Sequence, residues 1–295
     1  MEEMIYNVFH KNEWGMIIAL YFYFTGLSAG TFVISSLYRV FGLEKYKPVA
    51  KTSAVLAVLL LAVAPILLLL DLGQPARFWH LFVPSYFHVT SVMAWGSLLL
   101  TLYPINALLY TIYLFKDDAS KSKFFGMIGV PLAILVHGYT GFIFGVVAAR
   151  AMWYSPLMPA FFLASAIVSG FGLVILITVA QDKLAGRAIN KELVIGMGRF
   201  LSYFLALDLI FGMSIMAMLL YGPADAAAVG RIALADKVYL YGEILMGQFL
   251  PLLLLTWSKT KNSIPIITLS GALVVIFVFG MRYSLVFIGQ ALPLS

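Results

Sequence analysis

The sequence contains no cysteine among its 295 residues. Without thiolates the chain forms no disulfide, no cysteine-ligated iron–sulfur cluster and no haem attachment through a CxxCH motif. Histidine is scarce as well, with four residues. Electrons that reach this chain must therefore leave it through another protein.

Charged residues are also few, at 11% of the sequence, whereas 62% of the residues are hydrophobic. A soluble domain carries about 25% charged residues, so this protein lacks the polar surface that water requires. We therefore predict an all-α integral membrane protein. The net charge of +6 does not indicate nucleic acid, because the basic residues lie in short loops between apolar runs.

The first 14 residues carry three acidic side chains and no basic cluster, and no small-residue cleavage site follows them. We expect the first apolar run to be a retained helix and not a cleaved signal.

Eight apolar runs are long enough to cross a bilayer, which takes about 20 residues. They lie near 15–37, 52–70, 92–115, 124–149, 159–180, 200–220, 238–257 and 264–288. Residues 71–91 are too polar to span and unusually aromatic, so we expect an ordered segment at the membrane surface there. The prediction is a single membrane domain over residues 1–295.

The loops alternate in charge. Those at 38–51, 116–123, 181–199 and 258–263 hold 13 Lys and Arg residues, against 5 in the N-terminal segment and the remaining loops. The positive-inside rule places the four basic loops in the cytoplasm and both termini outside.

Ionisable residues within a span are costly and point to function or to an internal ion pair. Glu243 and Arg282 should share one depth on consecutive antiparallel helices, either as a structural ion pair or as part of a proton relay. Asp208 lies near mid-span with no obvious partner, either as a proton carrier or as a neutral acid bonded to a backbone carbonyl. His137 is the one deep histidine, and because a bis-histidine haem needs two, we predict no haem.

Helix geometry suggests a cleft on the fourth run. Tyr139 and Arg150 are 11 residues apart, which returns to nearly the same helix face about 16 Å higher. Aromatic residues crowd this end of the protein. They indicate an interfacial belt, and a flat ring ligand would use the same chemistry.

Several segments resemble the NrfD/PsrC family, the membrane anchors of polysulfide reductase and related respiratory complexes. They are ALYFYFTGLSAG at 19–30, DLGQPARFWH at 71–80, FHVTSVMAWGS at 87–97 and HGYTGFIFGVVAARAMW at 137–153. The resemblance covers the first four helices well and the last four mainly in topology and length.

This resemblance implies eight helices in two four-helix bundles in the inner membrane of a bacterium or archaeon. It implies a quinone site near the outer face among the first four helices, and we expect the quinone to be menaquinone. It also implies an iron–sulfur, ferredoxin-like subunit docked on that face and a molybdopterin catalytic subunit beyond it.

Tyr139 falls where the polysulfide reductase anchor has a quinone-contacting tyrosine. In the first helix that anchor contacts the quinone through an asparagine and a histidine. This protein has Ile18 and Tyr21 at those positions, and Tyr21 can still donate a hydrogen bond to a quinone oxygen whereas Ile18 cannot. Arg199 matches an arginine that is linked to a cytoplasmic proton route in that anchor. Alternatively, Arg199 is one of the basic residues that set the membrane topology and has no part in proton transfer.

The resulting hypothesis is an anchor that oxidises quinol or reduces quinone, with proton translocation left open as an additional role. The residues expected at the quinone are Tyr21, Tyr139, Asp71, His80, Arg150 and Trp153. His80 is either a proton acceptor or a docking residue. The residues expected on a proton route are Arg199, Asp208 and Glu243.

Two alternatives stay open at this point. One is a proton-coupled secondary transporter with Asp208, Glu243 and Arg282 at a midplane site, although no matching pair of broken helices supports it. The other is a structural anchor without a redox site.

Overall fold

The computed structural model describes residues 14–72, 74–83, 88 and 90–292, and these residues form helices and connecting turns without a β-strand. The α-helices are α1 (Met16–Arg39), α2 (Lys47–Asp71), α3 (Val92–Phe115), α4 (Ala119–Gly145), α5 (Met158–Leu184), α6 (Lys191–Leu220), α7 (Ala224–Ala235), α8 (Leu250–Thr256) and α9 (Ile264–Ile288). A π-helix, Val238–Phe249, runs directly into α8.

Eight segments of the described residues are long and apolar enough to cross a membrane. They are α1, α2 together with the preceding 3₁₀ turn Glu44–Tyr46, α3 to α6, α9, and the π-helix with α8 as one span of 19 residues. The predicted count of eight and the all-helical class are therefore confirmed.

Three helices, α2, α4 and α6, begin well before their apolar runs, and the last two start at a side-chain cap. Helix α4 begins at Ala119 because the carboxylate of Asp118 accepts the N–H of Lys121, and α6 begins at Lys191 because Asn190 accepts the N–H of Leu193 in the same way. Such caps satisfy N–H groups that the helix itself leaves unpaired. Polar first turns thus extend both helices beyond the hydrophobic stretches.

Helix α4 ends at Gly145, four residues before the expected end. A Cβ at Gly145 would lie 2.8 Å from the carbonyl oxygen of Ser155, so the returning backbone packs directly on this position. Residues 146–157 form turns instead of helix. The argument that Tyr139 and Arg150 share one helix face is therefore wrong.

Two short helices lie outside the spans. The 12-residue α7 occupies what was expected to be a loop between the sixth and seventh spans. A 3₁₀ segment, Pro75–Phe82, packs on α2 and α3 and buries none of its side chains. It forms part of the predicted surface segment; residues 73, 84–87 and 89 lie outside the described residues.

Helices α1 and α5 occupy the centre. Helix α1 contacts α2, α4, α5 and α9, and α5 contacts α1, α4, α6 and α9. The two cross at Gly30 and Gly170, where an added Cβ on Gly170 would lie 2.5 Å from the Gly30 backbone. Small residues at such crossings let membrane helices approach closely.

The connections between the spans lie at two ends of the protein. We call the end with the four basic loops the basic end, and the end where α1 begins and α9 ends the terminal end. At the basic end Arg39 and Lys51 both pair with Asp117, at 3.1 and 3.2 Å, and Thr52 hydrogen-bonds Gln181. At the terminal end the backbone of Trp14 exchanges hydrogen bonds with the side chain of Gln290. The basic loops thus gather on one side of the described structure.

Candidate functional site

Tyr139 and Tyr21 come together in the half of their helices nearer the terminal end. Tyr21 is buried on α1, Tyr139 is half-buried on α4, and their phenol groups lie within electrostatic range of each other. Two phenol hydroxyls can each donate and accept a hydrogen bond. Such a pair suits a ligand with polar oxygens on an apolar ring.

Gly96, in the second turn of α3, makes room for Tyr139. A Cβ built on Gly96 would overlap the Cζ and the hydroxyl oxygen of Tyr139. The end of the tyrosine ring therefore rests in the space that any other residue at position 96 would fill. This glycine lies within the segment that carried the family resemblance, but only the structure indicates its role.

Arg150 and Trp153 lie against the C-terminal segment. The Arg150 guanidinium donates to the carbonyl of Leu292 and lies 5.9 Å from the Trp153 ring. Trp153 is buried, its indole N–H donates to the Leu285 carbonyl at 2.6 Å, and its ring stacks on Trp14 at 5.1 Å. Both polar groups have partners within the protein, and their role at a quinone stays a prediction.

Asp71 and His80 lie near the ends of the segments they belong to. Asp71 is exposed at the last residue of α2, and His80 is half-buried in the 3₁₀ segment with its ring 4.1 Å from that of Trp79. Both lie on the terminal-end side of α2 and α3. An exposed acid and an imidazole are groups that can exchange protons with water.

A second polar site is buried among the later helices. The side-chain amide of Gln248 donates to the carboxylate of Asp208 at 2.9 Å, and Glu243 lies within electrostatic range of Asp208. The expectation that Asp208 has no partner is therefore wrong. Both acids are almost completely buried, at 1% and 4% exposure.

The π-helix explains why Glu243 and Gln248 reach the same site. They are five residues apart, which is about one turn of a π-helix, whereas this spacing in an α-helix separates two side chains by about 140°. The N–H of Leu250 bonds the carbonyl of Leu245, five residues back. Hydropathy cannot distinguish the two helix types, so Gln248 was missed.

Arg282 connects this site to the first helices. Its guanidinium reaches His137 Nε2 at 3.1 Å, donates to Ser165 Oγ, and lies 3.9 Å from the centre of the Phe162 ring. Because a guanidinium only donates, Nε2 of His137 accepts. Gly26 on α1 leaves the space, since a Cβ there would lie 2.9 Å from the His137 ring.

Of the two alternatives for Glu243 and Arg282, the direct ion pair is wrong. Among the described residues, no ion pair at 4 Å or less involves Arg282. Both acids nevertheless lie within electrostatic range of its guanidinium. The sequence predicts one depth for both residues, but the arginine side chain turns towards α4 and α5, where it contacts His137 and Ser165.

Three polar atoms of this buried cluster have no hydrogen-bond partner in the described structure. They are Oδ1 of Asp208, Oε2 of Glu243 and Nε of Arg282. A small cavity lies against both carboxylates, with about 10 Å³ of space for the centre of a water molecule. A cavity of this size can hold about one water, which is what a proton would need to pass between the two acids.

Arg199 does not join the cluster. It is exposed at the basic end, in a cleft that also contains Glu44, Lys45 and Glu192. It precedes Asp208 by nine residues, which places it about 13 Å away along α6 and on the opposite helix face. The described residues also contain no group of three His, Asp or Glu side chains that could hold a metal ion.

Residues 5–293 match the family described as polysulphide reductase, NrfD. This chain belongs to the NrfD family. The match spans nearly the whole sequence, and the protein is accordingly a multi-pass integral membrane protein, as predicted.

Three NrfD-type relatives illustrate the range of the family. The sequence is 29% identical to a selenate reductase subunit of Mesobacillus selenatarsenatis, covering 96% of this protein and 75% of the relative. It is 28% identical to the Hdr-like menaquinol oxidoreductase integral membrane subunit of Archaeoglobus fulgidus, at 96% and 72% coverage. It is 26% identical to a polysulfide reductase polypeptide of Wolinella succinogenes, at 94% coverage of both proteins.

Proposed function

We propose that this protein is the membrane anchor subunit of a respiratory oxidoreductase, and that it oxidises quinol or reduces quinone close to the terminal end. Membership of the NrfD family over residues 5–293 carries the proposal. The relatives are named as parts of a selenate reductase, a menaquinol oxidoreductase and a polysulfide reductase. The terminal end would face outward, with the basic loops in the cytoplasm.

The residues at Tyr139 fit a quinone. The two phenol groups supply hydrogen bonds for ring oxygens, and Tyr139 is the one that is half-exposed to an incoming ligand. A bound quinone would supply the two-electron, two-proton chemistry that this protein lacks. The name of the Archaeoglobus relative favours menaquinone.

The side chains of this protein would bind the ring and handle protons. Tyr139 would orient the ring through its hydroxyl, with Tyr21 behind it, and Gly96 would leave the space that the end of the Tyr139 ring occupies. Asp71 and His80, at the same end of the helices, would pass protons to the outer water. Arg150 and Trp153 would hold the 146–157 turns and the C-terminal segment together beside this site.

Electrons would leave through a docked subunit, because the sequence has no cysteine for a cluster of its own. We propose an iron–sulfur, ferredoxin-like subunit at the terminal end and a molybdopterin catalytic subunit beyond it. The quinone bundle would be α1 to α4, and the second bundle would be α5, α6, the π-helix with α8, and α9. Together they would form one membrane domain.

The buried acids would form a proton route through the second bundle. The series of groups would run from Glu243 through the small cavity to Asp208, and the fixed positive charge of Arg282 would lie within electrostatic range of both acids. Arg199 would lie at its cytoplasmic entrance, about 13 Å from Asp208 along α6.

The burial of three ionisable side chains within the spans favours a second candidate, a proton-coupled transporter in which Asp208, Glu243 and Arg282 form the substrate site. Purification from the native membrane separates the two. A complex with an iron–sulfur subunit and bound quinone supports the anchor, whereas a lone oligomer that takes up solute with protons supports the transporter.

The test of the quinone site is Tyr139→Phe in the assembled complex. Loss of one neutral hydrogen bond costs about 0.5–1.5 kcal/mol, so we expect kcat/KM for a menaquinol analogue to fall by about threefold to tenfold with normal assembly. The matched control is Tyr23→Phe, which removes a hydroxyl that donates to the Val275 carbonyl. Equal quinol oxidation by Tyr139→Phe and the wild type would refute the assignment.

A further inference from the structure

A groove at the basic end lies between α5, the start of α6 and the first half of α9. It has a volume of about 910 Å³ and opens at the protein surface. Its rim carries Lys183, Arg187 and Lys191. None of these residues belongs to the quinone site or to the buried acid cluster.

The positions of the three cations are fixed by the local fold. Gly186, with φ of +63°, reverses the backbone after α5, and the N–H of Arg187 then bonds the carbonyl of Asp182 at 2.8 Å. Arg187 also pairs with the Asp182 carboxylate at 3.2 Å. Lys183 and Lys191 have no carboxylate within 4 Å in the described structure, so two of the three positive charges are not neutralised by the protein.

Below this rim the walls of the groove become apolar. Leu176 on α5 and Ala272 on α9 line its deeper part, and Leu269 on α9, an exposed residue, lines it as well. Lys183 is seven residues from Leu176, so the apolar part extends about 10 Å from the charged rim into the depth of the membrane. A basic rim above an apolar slot matches a molecule with an anionic head and a hydrocarbon tail.

We propose that this groove binds one anionic phospholipid of the leaflet at the basic end. Its phosphate would lie among Lys183, Arg187 and Lys191, and one acyl tail would follow the wall formed by Leu176, Leu269 and Ala272. Basic pockets between membrane helices bind anionic head groups in this way. The positive-inside rule explains why basic residues lie on this side, but it does not require a 910 Å³ groove beneath them.

The experiment is native mass spectrometry of the full-length protein in detergent, titrated with dioleoyl phosphatidylglycerol and, separately, with dioleoyl phosphatidylcholine. The first variant combines Lys183→Gln, Arg187→Gln and Lys191→Gln. A cation near the membrane surface contributes roughly fivefold to anionic lipid binding, so losing two or three of them should weaken phosphatidylglycerol binding by about 25-fold to 125-fold. We expect phosphatidylcholine to bind weakly to the wild type and the variant alike.

The matched control removes the same charge from another loop at the basic end, through Lys116→Gln, Lys121→Gln and Lys123→Gln. We expect less than a twofold change there, and a loss as large as in the groove variant would overturn the site in favour of diffuse surface charge. Equal binding of the two lipids would overturn it as well.

The apolar wall distinguishes a lipid from a free anion. Ala272→Phe narrows the apolar part of the groove, and Leu269→Ser makes its wall more polar at an exposed position. Both should weaken phosphatidylglycerol binding at unchanged charge. If neither does, and inorganic phosphate displaces the lipid from the wild type, the groove binds phosphate alone and the lipid assignment is wrong.

Discussion

Gly96→Ala tests the quinone site without touching a polar group. An alanine Cβ would overlap Cζ and the hydroxyl oxygen of Tyr139. Non-bonded carbons need about 3.5–4.0 Å between them, so the ring end must move by more than about 1 Å. A shift of this size breaks a hydrogen bond, which tolerates only a few tenths of an ångström around its usual length.

The expected result is a loss of quinol oxidation similar to that of Tyr139→Phe. Removing a neutral hydrogen bond costs about 0.5–1.5 kcal/mol, so kcat/KM should fall by about threefold to tenfold. Because both variants act through one hydroxyl, the double variant should be no worse than the worse single variant. The assay is steady-state oxidation of a menaquinol analogue by the assembled complex, with a chemical acceptor for the electrons.

Gly138→Ala is the matched control. It adds the same methyl group one residue from Tyr139, where the nearest atom is Leu163 Cδ1 at an ordinary 3.8 Å. We expect its activity and assembly to equal those of the wild type. Full activity in Gly96→Ala, or losses that add in the double variant, would refute the positioning of Tyr139 by Gly96.

Two further predictions concern stability, measured by thermal unfolding in detergent. Arg282→Gln should destabilise the protein by about 1.5–3 kcal/mol, because it removes charged hydrogen bonds to His137 and Ser165 and the cation within electrostatic range of two buried acids. Adding Asp208→Asn and Glu243→Gln should restore part of the loss, and no rescue would contradict the electrostatic coupling. Trp153→Phe should lower the free energy of unfolding by about 1 kcal/mol, because it removes the hydrogen bond to the Leu285 carbonyl. If the folded variant also oxidises quinol more slowly than the wild type, Trp153 acts at the quinone.

The number of spans could be predicted from the sequence because hydrophobic length is a strong and local signal. The ends of α4 and α6 could not, because Asp118 and Asn190 extend the helices with caps that hydropathy ignores. Gly145 ends α4 through packing against Ser155, a contact between positions ten residues apart in sequence. Local pattern therefore determines the spans, and tertiary contacts determine their limits.

The candidate site was predictable in its chemistry and less so in its contacts. The predicted equal depth of Glu243 and Arg282 grouped the two residues, and both lie in one buried cluster. Depth alone could not show that the guanidinium turns to His137, since side-chain direction depends on the packing of α4 and α5. A glutamine within an apolar run was the available signal for Gln248, and its role depends on a π-helix.

The alternating loop charge predicted that the basic loops share one side, and the contacts of Asp117 bring two of them together. Their cytoplasmic position stays a prediction. Cysteine accessibility settles it, because the sequence has no native cysteine. A cysteine introduced at Lys259 should react with an impermeant maleimide only after the cells are opened.

The most direct test of the account is photolabelling of the purified complex with an azido-substituted menaquinone analogue, followed by peptide mass spectrometry. The account predicts labelled peptides from α1 around Tyr21, from α3 around Gly96 and from α4 around Tyr139, all lost when unlabelled menaquinone is added in excess. Labelling confined to α6, the π-helix and α9, with competition by the same quinone, would contradict it.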